Sequence, residues 1–246
     1  MRVLAFDTAT RATTVAVLDP GGGAAIERRD DPDPGQRPRH TSRLMPLIAE
    51  VMRDSESGWP DIDLLAVGTG PGTFTGLRIG VATARALARA RGIPLVGVST
   101  LESLAAGAVP AARGGDRDVV LAVLDARRRE VFAAAWPAGP GPAAWPAGPG
   151  PGDPLLAAAA MSPMALAEAA AQLGHRQLAI GDGAIEFRSV LERLGTLIPA
   201  DDSGLHRVSA AVHGRLAAGR PLSGEGAVSP EYLRRPDAEL TLRAPS

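Results

Sequence analysis

A carboxylate at the tip of a buried strand, followed by a threonine-bearing turn, is one way to place a metal-bound water and a phosphate. Asp7, Thr8 and Thr10 have that arrangement, after the apolar run Val3-Leu4-Ala5-Phe6. Turns that close backbone amides on a phosphate generally use glycine. The turn Thr8-Ala9-Thr10-Arg11-Ala12 has none, so the three residues read either as a structural turn or as a vestigial ligand site. A second candidate is Gly68-Thr69-Gly70-Pro71-Gly72, which leads through Thr73 into a helix. A glycine-rich entry to a helix offers free amides and the helix dipole to an anion, although a tight strand-to-helix turn explains the same residues. A third is Asp125 to Glu130, where Arg127, Arg128 and Arg129 stand between two carboxylates. It is an ordinary charged turn, or an RNA or partner contact through Asp125, Arg127 and Glu130. Gly181-Asp182-Gly183-Ala184 is a turn of the kind that seats an adenosine, but the pattern is too common to carry weight alone.

Residue types that are missing narrow the chemistry further. The 246 residues include no cysteine, which excludes disulfides, thiolate metal sites and thiol nucleophiles. All 26 basic side chains are arginines, so Schiff-base chemistry and a phosphate-loop lysine are excluded as well. The histidines His40, His175, His206 and His213 form no HxxH, HxxxH or HExxH pair, so no metal is expected. No serine lies in a GxSxG elbow. The formal charge is −1, so any contact with RNA is local or made by a partner. No run of about 18–20 apolar residues is present to span a bilayer, and no signal core opens the chain, so a cytoplasmic location is expected.

The elements that must position these groups follow from periodicity. Residues 3–6 and 13–18 read as a strand hairpin around Asp7, with a third short strand over 24–28. A helix over 42–53 carries Leu44, Leu47, Ile48 and Val51 on one stripe, and Pro46 must sit in its opening turn or kink it. A strand over 62–67 precedes a long helix over 73–91. A strand at 95–98 ends in Ser99 and Glu102, the capping box of a short helix. The hairpin plan then returns, as 119–124, Asp125, a polar turn and 131–134. Helices are expected from Ser162-Pro163 to Gly174, after Gly181, and near 208–218, with a strand at 177–180 between the first two. Two lobes on one plan result: residues 1–106, joined by the tail 220–246, and residues 107–219. Residues 135–153, where Trp-Pro-Ala-Gly-Pro-Gly-Pro starts at both Trp136 and Trp145, read as a mobile surface loop.

On the helix over 73–91, Gly76, Gly80, Ala84 and Ala88 recur at every fourth residue and make a smooth ridge. Phe74, Leu77 and Val81 flank it, while Arg78 and Arg85 border it. Such a ridge serves internal packing or a partner interface, where arginine and aromatic anchors are common.

Taken in order, several stretches resemble the TsaB (YeaZ) family of bacterial tRNA threonylcarbamoyladenosine biosynthesis subunits. They are Asp7-Thr8-Ala9-Thr10, His40 with Arg43-Leu44-Met45-Pro46, Gly70-Pro71-Gly72-Thr73-Phe74-Thr75-Gly76-Leu77-Arg78-Ile79-Gly80, Val98-Ser99-Thr100-Leu101, Asp125-Ala126-Arg127 with Glu130-Val131-Phe132, and Tyr232-Leu233-Arg234. The resemblance implies an α/β actin-like ATPase (ASKHA) fold of two RNase-H-like lobes, each a mixed sheet flanked by helices. It implies a non-catalytic subunit, a scaffold that works with a TsaD-like catalytic subunit and a TsaE-like ATPase on the N6 of the adenosine beside the anticodon. ATP and metal are then expected on the partners and no cofactor on this chain; tRNA is met through the complex, and the chain alone is expected to dimerise. It also implies a helix-bundle contact, expected at Arg43, Leu44, Leu47, Phe74, Leu77, Arg78, Val81 and Arg85. The alternatives are an independent actin-like ATPase or small-molecule kinase, which would hold nucleotide between the lobes, and a metallopeptidase, for which ligands are lacking.

Overall fold

A computed structural model describes residues 1–22, 24–33, 35–114, 117–138, 153–174, 176–222 and 228–234. The chain opens with β1 (Val3–Asp7), β2 (Thr13–Leu18) and β3 (Ile26–Asp30), an antiparallel meander. α1 (His40–Asp54) follows, then β4 (Leu64–Gly70), α2 (Phe74–Arg91) and β5 (Leu95–Ser99). β4 runs parallel to β1, and β5 parallel to β4, giving a sheet of order β3-β2-β1-β4-β5. All five residues of β1 are buried, as expected of a central strand covered on both faces.

α3 (Thr100–Gly114) leads to a second sheet that repeats the plan. β6 (Val119–Arg127), β7 (Glu130–Pro137) and β8 (Leu156–Met161) form its meander; α4 (Pro163–Ala171) precedes β9 (Gln177–Ile180), which runs parallel to β6. Two short helices, α5 (Asp182–Glu186) and α6 (Arg188–Leu191), and then α7 (Ala210–Ala218) complete the chain's regular structure among the described residues. No helix among these residues is long and apolar enough to cross a membrane.

Helix stop signals work as the sequence indicates. The Thr73 hydroxyl accepts a hydrogen bond from the Gly76 amide at 3.3 Å to open α2, and Gly92 closes it at φ 66°. α1 starts at His40, earlier than the periodicity predicts, so Pro46 lies inside the helix rather than in its first turn.

α1 and α2 cover one face of the first sheet, with Leu44, Leu47, Val51, Val81, Ala84 and Ala88 packed on Leu4, Phe6 and Val67. α7 covers the other face, with Ala210, Leu216 and Ala217 against Val3, Ala5 and Leu18. Chain order suggests that α7 belongs with the second lobe, yet its packing is on the first. Likewise the division at residue 106 falls inside α3, which serves both sheets: Ala106 joins the first core, while Leu101, Leu104 and Ala108 join the second. The tail segment returns to both, Val228 to the first core and Leu233 against the second.

One element the sequence reading does not include is β8: Leu156-Ala157-Ala158-Ala159-Ala160-Met161 has little strand propensity, and pairing with β7 overrides it. The proposed mobile loop starts too early, because Trp136 and Pro137 belong to β7 and Trp136 is buried in the second core. The rest of that loop, with Trp145, lies outside the described residues except for Ala138 at one end and Asp153 at the other.

Candidate functional site

β1 delivers Asp7 to its tip, where the carboxylate is enclosed. Asp7 Oδ1 accepts from the Ala9 amide at 2.7 Å, and Oδ2 accepts from the Thr100 hydroxyl at 2.8 Å. His213 Nε2, from α7, lies 3.1 Å from the same Oδ2, and both side chains are buried. The other ring nitrogen, Nδ1, is hydrogen-bonded with Ser103 Oγ at 2.8 Å and lies 3.0 Å from the Ser209 carbonyl. Burial alone would raise the Asp7 pKa, but His213 beside it, with the Ala9 amide and the Thr100 hydroxyl, holds it below the ordinary carboxylate range. His40 lies nearby, hydrogen-bonded with Thr13 Oγ1 through Nδ1 at 2.8 Å; burial lowers its pKa against the opposing charges of Asp7 and Asp30.

The glycine-rich segment closes on the turn from the other side. The Thr73 amide donates to the Ala9 carbonyl at 2.7 Å, and the Thr8 hydroxyl donates to the Gly76 carbonyl at 2.7 Å. A side chain at Gly72 would collide with Ala9, and one at Gly76 or Gly80 with Thr8. These glycines therefore admit the Asp7 turn itself, not an anion, and the smooth ridge is spent inside the lobe. Gly76→Ala is expected to cost about 2–3 kcal/mol, because the obstructing atoms are backbone that cannot rotate away. Chemical denaturation of the folded variant measures this.

The residues of a phosphate cradle are thus present but turned to one another. Asp7 and Thr8 have their hydrogen bonds within the chain, and the space beside them is filled by Thr73 to Gly80 and by His213. A nucleotide phosphate and its metal, which the actin-like class implies for this position, do not fit here. Thr10 differs, since it is half-exposed and lines a cavity of about 210 Å³ between the lobes with Arg11, Arg29, Leu124, Asp182 and His206. That volume is below the ~300–1,000 Å³ of usual small-molecule pockets.

The second hairpin is braced from below. The Asp125 amide donates to Asp182 Oδ1 at 2.9 Å, and Asp125 in turn accepts from the Arg127 amide at 2.7 Å. Burial, then the charge of Asp125, pushes the Asp182 carboxyl above its ordinary range. Gly181 abuts the Val123 carbonyl, so this turn ties β9 to β6. Glu130 accepts from Arg234 Nη1 at 3.0 Å.

The expected partner residues divide. Leu44, Leu47, Leu77 and Val81 are each at most 2% exposed and belong to the protein's own cores or to the packing beneath α2, so they present nothing to a partner. Phe74, Arg43 and Arg85 are half-buried, and Arg78 is exposed. The exposed faces carry other residues: Met45, Pro46 and Ala49 on α1, and Thr75, Ala82 and Ala86 on α2. Beside them the Arg78 guanidinium sits 3.8 Å from the Phe74 ring centroid, and its Nε donates to the Tyr232 hydroxyl at 3.2 Å. The sequence reading did not connect His213, Thr100 or Ser103 to Asp7.

Two sheets built on one plan, a meander extended by two parallel strands in the first and by one in the second, with an aspartate at the first hairpin where the lobes meet, define an actin-like fold of two RNase-H-like lobes. Residues 35–136 match the family model described as TsaD: tRNA N6-adenosine threonylcarbamoyltransferase. The chain is 40% identical over 136 residues to the tRNA threonylcarbamoyladenosine biosynthesis protein TsaB of Escherichia coli (strain K12), covering 55% of each chain. It is 31% identical over 142 residues to the Bacillus subtilis (strain 168) protein of the same name, again 55% of each. The chain spans about half the length of the curated relatives it matches. Similarity to solved structures runs further: YeaZ from Pseudomonas aeruginosa aligns with a TM-score of 0.69 and 25% identity over 94% of this chain and 99% of that one. Another Pseudomonas aeruginosa structure, described as similar to peptidase YEAZ, gives 0.71 and 27% over 95% and 99%. These comparisons make the chain similar to TsaB over about half its length and to YeaZ structures over nearly all of it.

Proposed function

We propose that this chain is a non-catalytic subunit in the formation of N6-threonylcarbamoyladenosine beside the anticodon of tRNA. It works with a TsaD-like catalytic subunit and a TsaE-like ATPase, in the cytoplasm. The names of its relatives support the pathway, and the filled Asp7 turn supports the non-catalytic role. A carboxylate already bonded by Ala9 and Thr100 and in contact with His213 has little left for a metal-bound water. ATP and metal then belong to the partners, and tRNA is met in the assembly. Without a partner, the exposed faces of α1 and α2 are suited to pairing with a second copy, since apolar surface of this kind is seldom left open.

The test is reconstitution. Co-purified with the TsaD-like and TsaE-like proteins of its organism, the chain should be required for modification of tRNA supplied with threonine, bicarbonate and ATP. Alone it should hydrolyse no ATP above background. Stoichiometric, magnesium-dependent ATP binding to the isolated chain, seen by calorimetry, would overturn the non-catalytic reading. Undiminished modification without the chain would overturn the pathway.

A further inference from the structure

The tip between β6 and β7 carries three consecutive arginines in the left-handed region, Arg127 at φ 65°, Arg128 at 55° and Arg129 at 61°. Arg127 and Glu130 face one another across the ladder, so Arg128 and Arg129 are the central pair of a two-residue turn. Such turns favour Asn-Gly, because side chains with a Cβ are strained there. Yet all three arginines are exposed, and Arg129 makes no hydrogen bond or ion pair among the described residues. The base of the turn, by contrast, is fixed by Asp125, Asp182 and the Glu130–Arg234 pair. Arg127 is itself paired with Asp125 at 2.9 Å, so the strained, rigidly mounted tip holds out Arg129, a side chain that does nothing for the fold and so has its use outside it.

We propose that this turn is a contact for the phosphate backbone of RNA, with Arg129 and its neighbour Arg128 at the phosphates, while Arg127 and Arg234, paired with Asp125 and Glu130, brace the turn. Guanidinium forks match phosphate oxygens in geometry and hold their charge at any working pH. An acidic protein surface would also meet the charge, but at protein interfaces arginine is joined by aromatic or other apolar anchors. The tip offers none, since the flanking Ala126 and Val131 are buried. With a net charge of −1 on the whole chain, the contact is local and involves few phosphates. Choosing tRNA as the RNA rests on the function proposed above; the contact itself rests on the turn.

The experiment replaces the pair with the residues the turn prefers, Arg128→Asn with Arg129→Gly, so the fold is relieved rather than damaged. The variant should melt at the same temperature as the parent or a few degrees higher. Binding of unfractionated tRNA, measured by anisotropy between 50 and 200 mM salt, should weaken several-fold at the low-salt end. The slope of log affinity against log salt should shrink by about 1–2, the scale of two lost phosphate contacts. Unchanged affinity and slope would overturn the proposal, as would a parent chain that binds no tRNA at 50 mM salt. Loss of the TsaD-like partner with tRNA binding intact would overturn it too, assigning the turn to a protein contact. Because subunit pairing is measured separately, failure here leaves the proposed pathway role standing, and failure of that role leaves tRNA binding by the turn intact.

Discussion

Replacing His213 by alanine is expected to lower the free energy of unfolding by about 3–5 kcal/mol, the usual cost of leaving a buried charge without its partner. The effect should reach beyond packing, because the Asp7 carboxylate stays behind, buried, with only the Ala9 amide and the Thr100 hydroxyl to hold it. In the parent chain Asp7 has a pKa below 3.8. The unfolded state binds more protons between that depressed value and about 3.8, so the stability Asp7 contributes is full above 3.8 and is lost as pH falls through the folded value. Without His213, burial dominates and the Asp7 pKa rises above 3.8. The sign then reverses: the variant loses stability as pH climbs from 3.8 through the raised value. Urea unfolding of the parent, His213→Ala, Asp7→Asn and the double variant, from about pH 2 to 7, resolves both effects. In the His213→Ala background, Asp7→Asn should recover stability at pH 7, since it removes an uncompensated charge. A loss below about 1 kcal/mol for His213→Ala, or no recovery in the double variant, would show that Asp7 is held by other groups.

That pair also marks where sequence reading stops. Strands such as β1 and β6 are legible because an unbroken apolar run ending in an aspartate has few other uses, and α2 is legible from Thr73 to Gly92 because both caps are written in residue type. The repeated hairpin plan was enough to anticipate two lobes. Contacts between Asp7 and His213 were not legible, since they join opposite ends of the chain and depend on α7 crossing to the first sheet. An amphipathic stripe does not say what it packs on, either. Leu44, Leu47, Leu77 and Val81 satisfy the same periodicity whether they face a partner or their own sheet, and the fold buries them inside. The glycine ridge carried the same ambiguity, which only the position of Thr8 resolves. β8 shows the reverse failure: four alanines favour a helix in isolation, and only the open edge of β7 makes them a strand.

Burial of the inner stripe moves the proposed partner face to the outside of α1 and α2, and there the expected effects are again large. Ala82→Glu and Ala86→Glu are predicted to fold with melting temperatures within about 2 °C of the parent. Both positions are exposed, and glutamate suits a helix interior. Each is predicted to weaken binding of the TsaD-like subunit by at least about 2 kcal/mol, close to thirtyfold, because a charge placed among closely approaching small residues must be desolvated or push the helices apart. Arg78→Glu should act in the same direction by removing the guanidinium stacked on Phe74 and bonded to Tyr232. Met164→Glu on α4, at a position 61% exposed on the second lobe, is the control and should leave binding unchanged. The same α2 substitutions should shift the isolated chain toward monomer in sedimentation, if one face serves both pairings. Titration calorimetry decides the first point. Unchanged affinity for Ala82→Glu, Ala86→Glu and Arg78→Glu together would place the partner elsewhere, and a loss confined to Met164→Glu would move it to the second lobe.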